Sequence, residues 1–148
     1  MDPITVIVTA LASGAAAALK PAAEKVVTEA YNGLKALIVS RYKGVEIETL
    51  ERKPESPTRK EVVKEGLEAT SAAQDTELLS LAQVLIEAVR AHAPRSAEAA
   101  GVSIADLEAQ SLYLRRVVAA GGIKVEKARL AGDMVLEDIN TGDPSSKR

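Results

Sequence analysis

Cysteine, phenylalanine and tryptophan occur nowhere in the 148 residues, and histidine occurs once. Without cysteine there is no disulfide, no thiolate metal site and no cysteine nucleophile. Tyr31, Tyr42 and Tyr113 are the only aromatics, so Leu, Val, Ile and Ala must do the packing. The stacking platforms of single-stranded nucleic-acid binders are missing. An excess of charge of one sign is missing too: 19 basic residues against 21 acidic ones give a net charge of −2. Such a balance leaves no electrostatic footprint for DNA or RNA, and no nucleic-acid partner is expected.

Catalytic patterns are equally scarce. No glycine-rich phosphate loop, nucleophile elbow or metal-ligand spacing is present. The single histidine, His92, stands just before Pro94, where a solvated helix end is the ordinary reading. Glu46 and Glu48 lie two apart in a polar connector and read as a solvated edge. The expectation is a protein without enzymatic activity, cofactor or metal. Asp2 stands where a secretory leader would carry Lys or Arg, which predicts a cytoplasmic protein.

What is present begins with DPITVIVTALASGAAAALK. Asp2 is a natural N-cap and Pro3 suits the first helical position. From Ile4 to Leu19 there are 16 residues without a charge. As a helix they span about 24 Å, short of the roughly 30 Å of a bilayer core. Thr5, Thr9 and Ser13 form a hydroxyl stripe, and Ala10, Gly14 and Ala18 a small-residue stripe, both at a spacing of four. Small-xxx-small faces let helices approach closely in lipid; an Ala-rich central helix of a soluble bundle, buried all round, needs the same composition. Ile4, Val6, Ile7, Val8, Ala10, Leu11, Gly14, Ala18 and Leu19 are therefore the candidate membrane-inserting or helix-packing residues.

Three more helical patterns follow. Ala23, Val26, Val27, Ala30, Tyr31, Leu34, Leu37 and Ile38 share one face after Pro21. VEIETLERKPESPTRK is a charged connector with room for a short helical turn. Either Ser56 with Pro57, or Thr58 with Glu61, starts a third helix carrying Val62, Val63 and Leu67. Asp75 caps a fourth with Leu78, Leu79, Ala82, Leu85, Ile86 and Val89 on one side. Residues 1–93 thus read as a bundle of about four helices, residues 94–100 as a hinge, and 143–148 as a disordered tail.

Residues 101–142 read differently. Apolar pairs two apart recur along the segment: Val102/Ile104, Leu107/Ala109, Leu112/Leu114, Val117/Ala119, Ile123/Val125, Ala128/Leu130 and Met134/Leu136, then Ile139. Short strands turning a corner after each pair are the pattern of a β-solenoid. Shifting the second half over the first by 21 residues, or 22 beyond Asp133, lays apolar on apolar. In that register Asp106 meets Lys127, Glu108 meets Arg129, Arg115 meets Glu137 and Arg116 meets Asp138, every pair of opposite sign. Strands stacked about 4.8 Å apart require such alternation. Gly121, Gly122, Gly132 and Gly142 fall where corners need positive φ. The expected fold class is mainly α, a bundle of about four helices followed by a small two-rung β-solenoid-like segment. Its self-assembly core would be Val102, Ile104, Leu107, Leu112, Leu114, Val117, Ile123, Val125, Leu130, Met134, Leu136 and Ile139.

A two-rung unit with complementary charges, behind a helical region that opens DPITVIVTALASGAAAALKPAAEKVVTEAYNGLKALI, resembles the HET-s-like amyloid-signalling cell-death effectors and the bacterial Bell-domain proteins. Gln110 and Asn140 are the segment's only side-chain amides, whereas those signalling segments are rich in them. The rungs would then form either amyloid or a small folded solenoid stacking end to end. The resemblance implies a self-assembling effector of bacterial immunity and antiviral defence by programmed cell death. Its partners would be other copies of itself in an oligomer or filament, a sensor with a matching β-segment, and membrane lipid. On activation it would move from the cytoplasm to the inner membrane and permeabilise it through the N-terminal helix. The alternative is a soluble, non-enzymatic oligomeric scaffold or adaptor that uses the same β-segment for docking.

Overall fold

The computed structural model describes residues 2–133, with side chains as far as Ala120. Among the described residues there are seven α-helices, one 3-10 turn and no strand. The elements are α1 (Pro3–Ala18), α2 (Lys25–Arg41), α3 (Ile47–Arg52), α4 (Pro57–Glu68), a 3-10 turn (Ala72–Gln74), α5 (Thr76–His92), α6 (Pro94–Ala99) and α7 (Ile104–Asp133). One compact unit ends at Arg116, and a second begins at Val117 within α7.

Local chemistry sets most of these boundaries. Asp2 accepts a hydrogen bond from the Thr5 amide at 2.9 Å and Pro3 occupies the first turn of α1. Those two residues satisfy or remove donors that a helix start leaves orphaned. Ser56 does the same for α4, accepting from the Arg59 amide at 3.3 Å with Pro57 behind it, so the Ser56 start is the one used. Asp75 caps α5 through the Leu78 amide at 3.1 Å. The end of α6 turns on Gly101, the described glycine with positive φ at 85°. There the amides of Gly101 and Val102 reach back to the carbonyls of Glu98 and Ala97, a closure that a residue with a Cβ resists.

The core is α1 wrapped by its neighbours. It packs against α2, α3, α4, α5 and α6. On α2, Val27, Tyr31, Leu34 and Ile38 turn inward, as the periodicity predicts, while Val26 is left outside. The charged connector contributes more than a turn, because α3 inserts Ile47 and Leu50 fully into the core. α4 adds Val63 and Leu67, and α5 adds Leu78, Leu85, Ile86 and Val89, all fully buried. Each such side chain contributes about 1.5–3 kcal/mol of transfer free energy.

Two expectations are corrected. Residues 94–100, expected to be a hinge, hold α6, whose Ala97 is fully buried and which lies against α1 and α5. Residues 104–133, expected to form β-rungs, are helical in α7, so the two-rung solenoid is overturned over that range. Ser103 and Asp106 explain the start: the Asp106 amide donates to Ser103 Oγ at 3.0 Å and the Ser103 amide to Asp106 Oδ2 at 3.2 Å, a capping box. Leu107, Gln110, Ser111 and Leu114 then form one buried face at helical spacing. A displacement of 21 or 22 residues is close to six helical turns of 3.6, about 21.6 residues. Over the described residues, the apolar overlay is therefore what a helix gives when shifted onto itself. Gly121, Gly122 and Gly132 lie inside α7 rather than at corners. Met134, Leu136, Glu137, Asp138, Ile139, Asn140 and Gly142 lie outside the described residues, as does the 143–148 tail.

The helix and the rungs assign different weights to three leucines. In α7, Leu107 and Leu114 are fully buried and Leu112 is 53% exposed. Leu107→Ala and Leu114→Ala should each cost about 2–5 kcal/mol, and Leu112→Ala less than about 0.5 kcal/mol. Urea unfolding of the three variants checks this; equal losses at all three would contradict the helical assignment.

Candidate functional site

Most of the functional residues expected near the N-terminus come together in one place, the interior of the bundle. Val6, Ile7, Ala10 and Leu11 are 0% exposed, Ile4 and Val8 are 5% exposed, and Gly14 is buried. Ala18 is half-buried and Leu19, past the helix end, is exposed. The hydroxyl stripe does not reach across to another helix. Thr9 Oγ1 donates to the Thr5 carbonyl and Ser13 Oγ to the Thr9 carbonyl, each at 2.9 Å. Satisfying its own backbone lets each hydroxyl sit in apolar surroundings without the penalty of an unpaired donor.

The small-residue stripe serves close packing inside this bundle. A Cβ added at Gly14 would lie 2.6 Å from Leu85 Cδ2 and 3.0 Å from Tyr31 Cδ1. α2 and α5 approach α1 because nothing projects there. Tyr31 is itself fixed: its ring is 1% exposed and its hydroxyl donates to Glu51 Oε2 at 2.5 Å. Lys35 donates to the same oxygen at 2.8 Å. Burial, the Glu51 bond and the Glu51 charge all push the Tyr31 hydroxyl far above its ordinary value, so it remains a neutral donor. A buried donor opposite a carboxylate ties α2 to α3.

Three further polar contacts secure the walls around α1. Asp75 accepts from Tyr42 at 2.6 Å and from Arg41 at 2.9 and 3.0 Å, besides capping α5. Burial pushes its carboxyl up, but the bonds from Tyr42, the Leu78 amide and Arg41 outweigh that and hold it below its ordinary value. Glu87 of α5 accepts from Gln83, Ser111 and Arg115, each at 3.1 Å. Chiefly through the Gln83 and Arg115 bonds, against some burial, its carboxyl is lowered too. Lys60 of α4 donates to the Ala100 carbonyl at 2.6 Å, joining α4 to the end of α6. Tyr31, Glu51, Asp75, Glu87 and Lys60 were not among the sequence candidates. Only the capping position of Asp75 was legible; the others depend on contacts between distant segments.

The residues expected to form a self-assembly core are dispersed. Val102, Leu107 and Leu114 are buried in the compact unit, Ile104 and Leu112 are exposed, and Val117 is half-buried. Ile123, Val125 and Leu130 fall within α7. Of the expected charge pairs, Asp106 takes part in the cap of α7 and Arg115 meets Glu87. Glu108, Arg116, Lys127 and Arg129 are helix residues of α7, and the expected partners Glu137 and Asp138 lie outside the described residues. Among the described residues no group of acids, histidines or cysteines is arranged to hold a metal ion. None of the described helices is long and apolar enough to cross a membrane.

Two measurements probe this cage. Gly14→Ala gains about 1 kcal/mol of helix propensity but drives a methyl into Leu85 and the pinned Tyr31 ring, for which overpacking costs about 1–3 kcal/mol. The clash should win, and thermal melting should show a lower Tm; a raised Tm would mean that α1 and α5 are not in such close contact. The depressed Asp75 and Glu87 carboxyls bind protons more weakly in the folded than in the unfolded chain. Their contribution is complete above the ordinary carboxylate value, about 4, and is lost as pH falls through the lower folded values. Asp75→Asn should flatten that acid-side fall in the urea midpoint, while leaving its slope above pH 6 unchanged.

A sequence model of the Het-E N-terminal domain matches residues 1–142. No curated protein and no solved structure matches the chain.

Proposed function

Because the chain belongs to the Het-E N-terminal domain family, we propose that it is a non-enzymatic module of programmed cell-death signalling that stores α1 as its effector element. One observation carries the reading: a helix uncharged from Ile4 to Ala18 keeps most of its surface inside a bundle of charged helices. In water that helix has no other stable location, since its apolar surface extends all round. A bilayer offers it a second one.

The membrane step belongs to this proposal. At 16 residues α1 spans about 24 Å, so on entering a bilayer it would thin the lipid locally or gather with other copies. Gly14, which admits Leu85 and Tyr31 in the bundle, would then form with Ala10 and Ala18 a face that admits a second α1 in lipid. Permeabilisation follows from several short helices meeting in one thinned patch. The alternative, an adaptor that keeps its bundle closed, is favoured by the depth at which Val6, Ile7, Ala10 and Leu11 are buried and by the polar ties around α1.

Because the chain has no cysteine, single cysteines for labelling can be introduced cleanly. Thr9→Cys on α1 and Glu29→Cys on the exposed side of α2 would each carry an environment-sensitive fluorophore. With anionic vesicles, the effector reading expects release of trapped dye together with a blue shift at position 9 and none at position 29. Gly14→Ala, by loosening α1, should quicken both. Family membership would stand, but the effector reading would fall to the adaptor reading, if neither wild type nor Gly14→Ala released dye or shifted the label.

A further inference from the structure

One cleft lies outside the packing of α1's sides, where α1 and α5 end and α2 and α6 begin. It encloses about 380 Å³, within the range of small-ligand pockets, roughly 300–1,000 Å³. The cleft is open for a simple reason: Ala17, Ala22, Ala23 and Ala93 line it with side chains too short to fill it. Val27 completes an apolar floor, while Lys20, His92 and Arg95 bring three nitrogen donors to the wall and Glu24 a single acid.

These cations differ from those that carboxylates hold between the helices, and share the lack of a carboxylate partner with other exposed cations such as Lys43, Arg52 and Lys53 among the described residues. Arg41, Lys35 and Arg115 are each engaged by a carboxylate, from Asp75 and Glu77, Glu51, and Glu87. Among the described residues, Lys20 and Arg95 have no carboxylate within ion-pair distance, and Glu24 has no cation and gives α2 no side-chain cap. Helix ends alone do not account for this. Two C-termini and two N-termini meet at the cleft, and their partial charges, about half an elementary charge each, roughly cancel. Lys20 and Arg95 together exceed Glu24 by a full positive charge, so the cleft is positive.

The geometry points to this cleft as a binding site for a phosphorylated polyol. The phosphate would take the N–H donors of Lys20, Arg95 and His92, with Arg95 supplying the planar fork suited to two phosphate oxygens. A hydroxyl of the polyol would donate to Glu24, which has no other use in the fold. Carbon atoms of the ligand would cover the alanine floor. The site is independent of whether α1 ever leaves the bundle, so it stands or fails apart from the effector reading.

The full chain, labelled with nitrogen-15, would be titrated with glycerol 3-phosphate and, separately, with inorganic phosphate. The expected result is saturable movement of the Ala22, Ala23 and Ala93 amides, weakened about tenfold or more in Lys20→Ala/Arg95→Ala. Both positions are exposed, and an unchanged Tm would show that the fold survives. Glu24→Gln should weaken glycerol 3-phosphate yet strengthen inorganic phosphate, a split that a diffuse basic surface would not produce. Vesicles of phosphatidylcholine with phosphatidic acid, against phosphatidylcholine alone, separate the sources. Retention only by phosphatidic acid, competed by glycerol 3-phosphate, puts the phosphate on a lipid headgroup; titration without retention makes it a free ester. The inference is overturned by no saturable shift with either phosphate, or by binding that the double variant and Glu24→Gln leave unchanged.

Discussion

Everything in this fold follows from the need to cover one uncharged helix on all sides. α1 has no charged face to turn to water, and its Thr9 and Ser13 hydroxyls bond to its own carbonyls. An amphipathic helix needs one wall; α1 needs a closed set of them, which α2, α3, α4, α5 and α6 provide. The short helices are explained by the same need. α3 and α6, six residues each, are too short to be stable alone, and they persist by inserting Ile47, Leu50 and Ala97 into gaps that the longer helices leave. Close approach where Gly14 meets Leu85 and Tyr31 draws the two largest walls inward.

The polar contacts have a different task, which is to fix how the walls meet. Glu51 joins α2 to α3, Asp75 joins the end of α2 to the start of α5, Glu87 joins α5 to α7, and Lys60 joins α4 to the turn after α6. Each lies at the margin of the apolar interior, where a hydrogen bond to a charged group keeps much of its strength without the full desolvation penalty of a buried ion pair. Gln110 is the exception, its Oε1 buried without a hydrogen-bond partner in the described structure.

Sequence reasoning reached the parts of the fold that local chemistry determines. The starts of α1, α4 and α5 were legible because Asp2, Ser56 and Asp75 are caps in front of periodic apolar runs. The inward faces of α2 and α5 were legible from spacing. α3 and α6 were not, because six residues show too little periodicity to stand out from a charged connector or a loop. The error in α7 has a specific cause. Apolar residues two apart imitate short strands, and a shift near six helical turns makes stretches of one helix resemble stacked rungs, whereas Ser103 with Asp106 is the capping box that starts a helix. The opposite signs of the shifted charges have no structural account among the described residues. The interior of the candidate site was legible as composition; the Glu51, Glu87 and Lys60 ties were not, since they join segments 16 to 40 residues apart.

The size of the covered surface decides how α1 could ever act. Ile4, Val6, Ile7, Val8 and Leu11 are almost completely buried, and at about 1.5–3 kcal/mol each they represent roughly 8–15 kcal/mol. That is comparable to the whole stability of a domain, about 5–15 kcal/mol. α1 therefore cannot swing out of an otherwise intact bundle in water, as a lid does. Its departure would empty the centre that five other helices share, so exposure of α1 and loss of the bundle are one event. On the effector reading, lipid must recover most of that free energy as the bundle opens, and the trigger need only lower the barrier between two covered states of the same helix. A trigger that acts by binding has a foothold at the end of α1, in the cleft that alanines line together with Lys20 and Arg95.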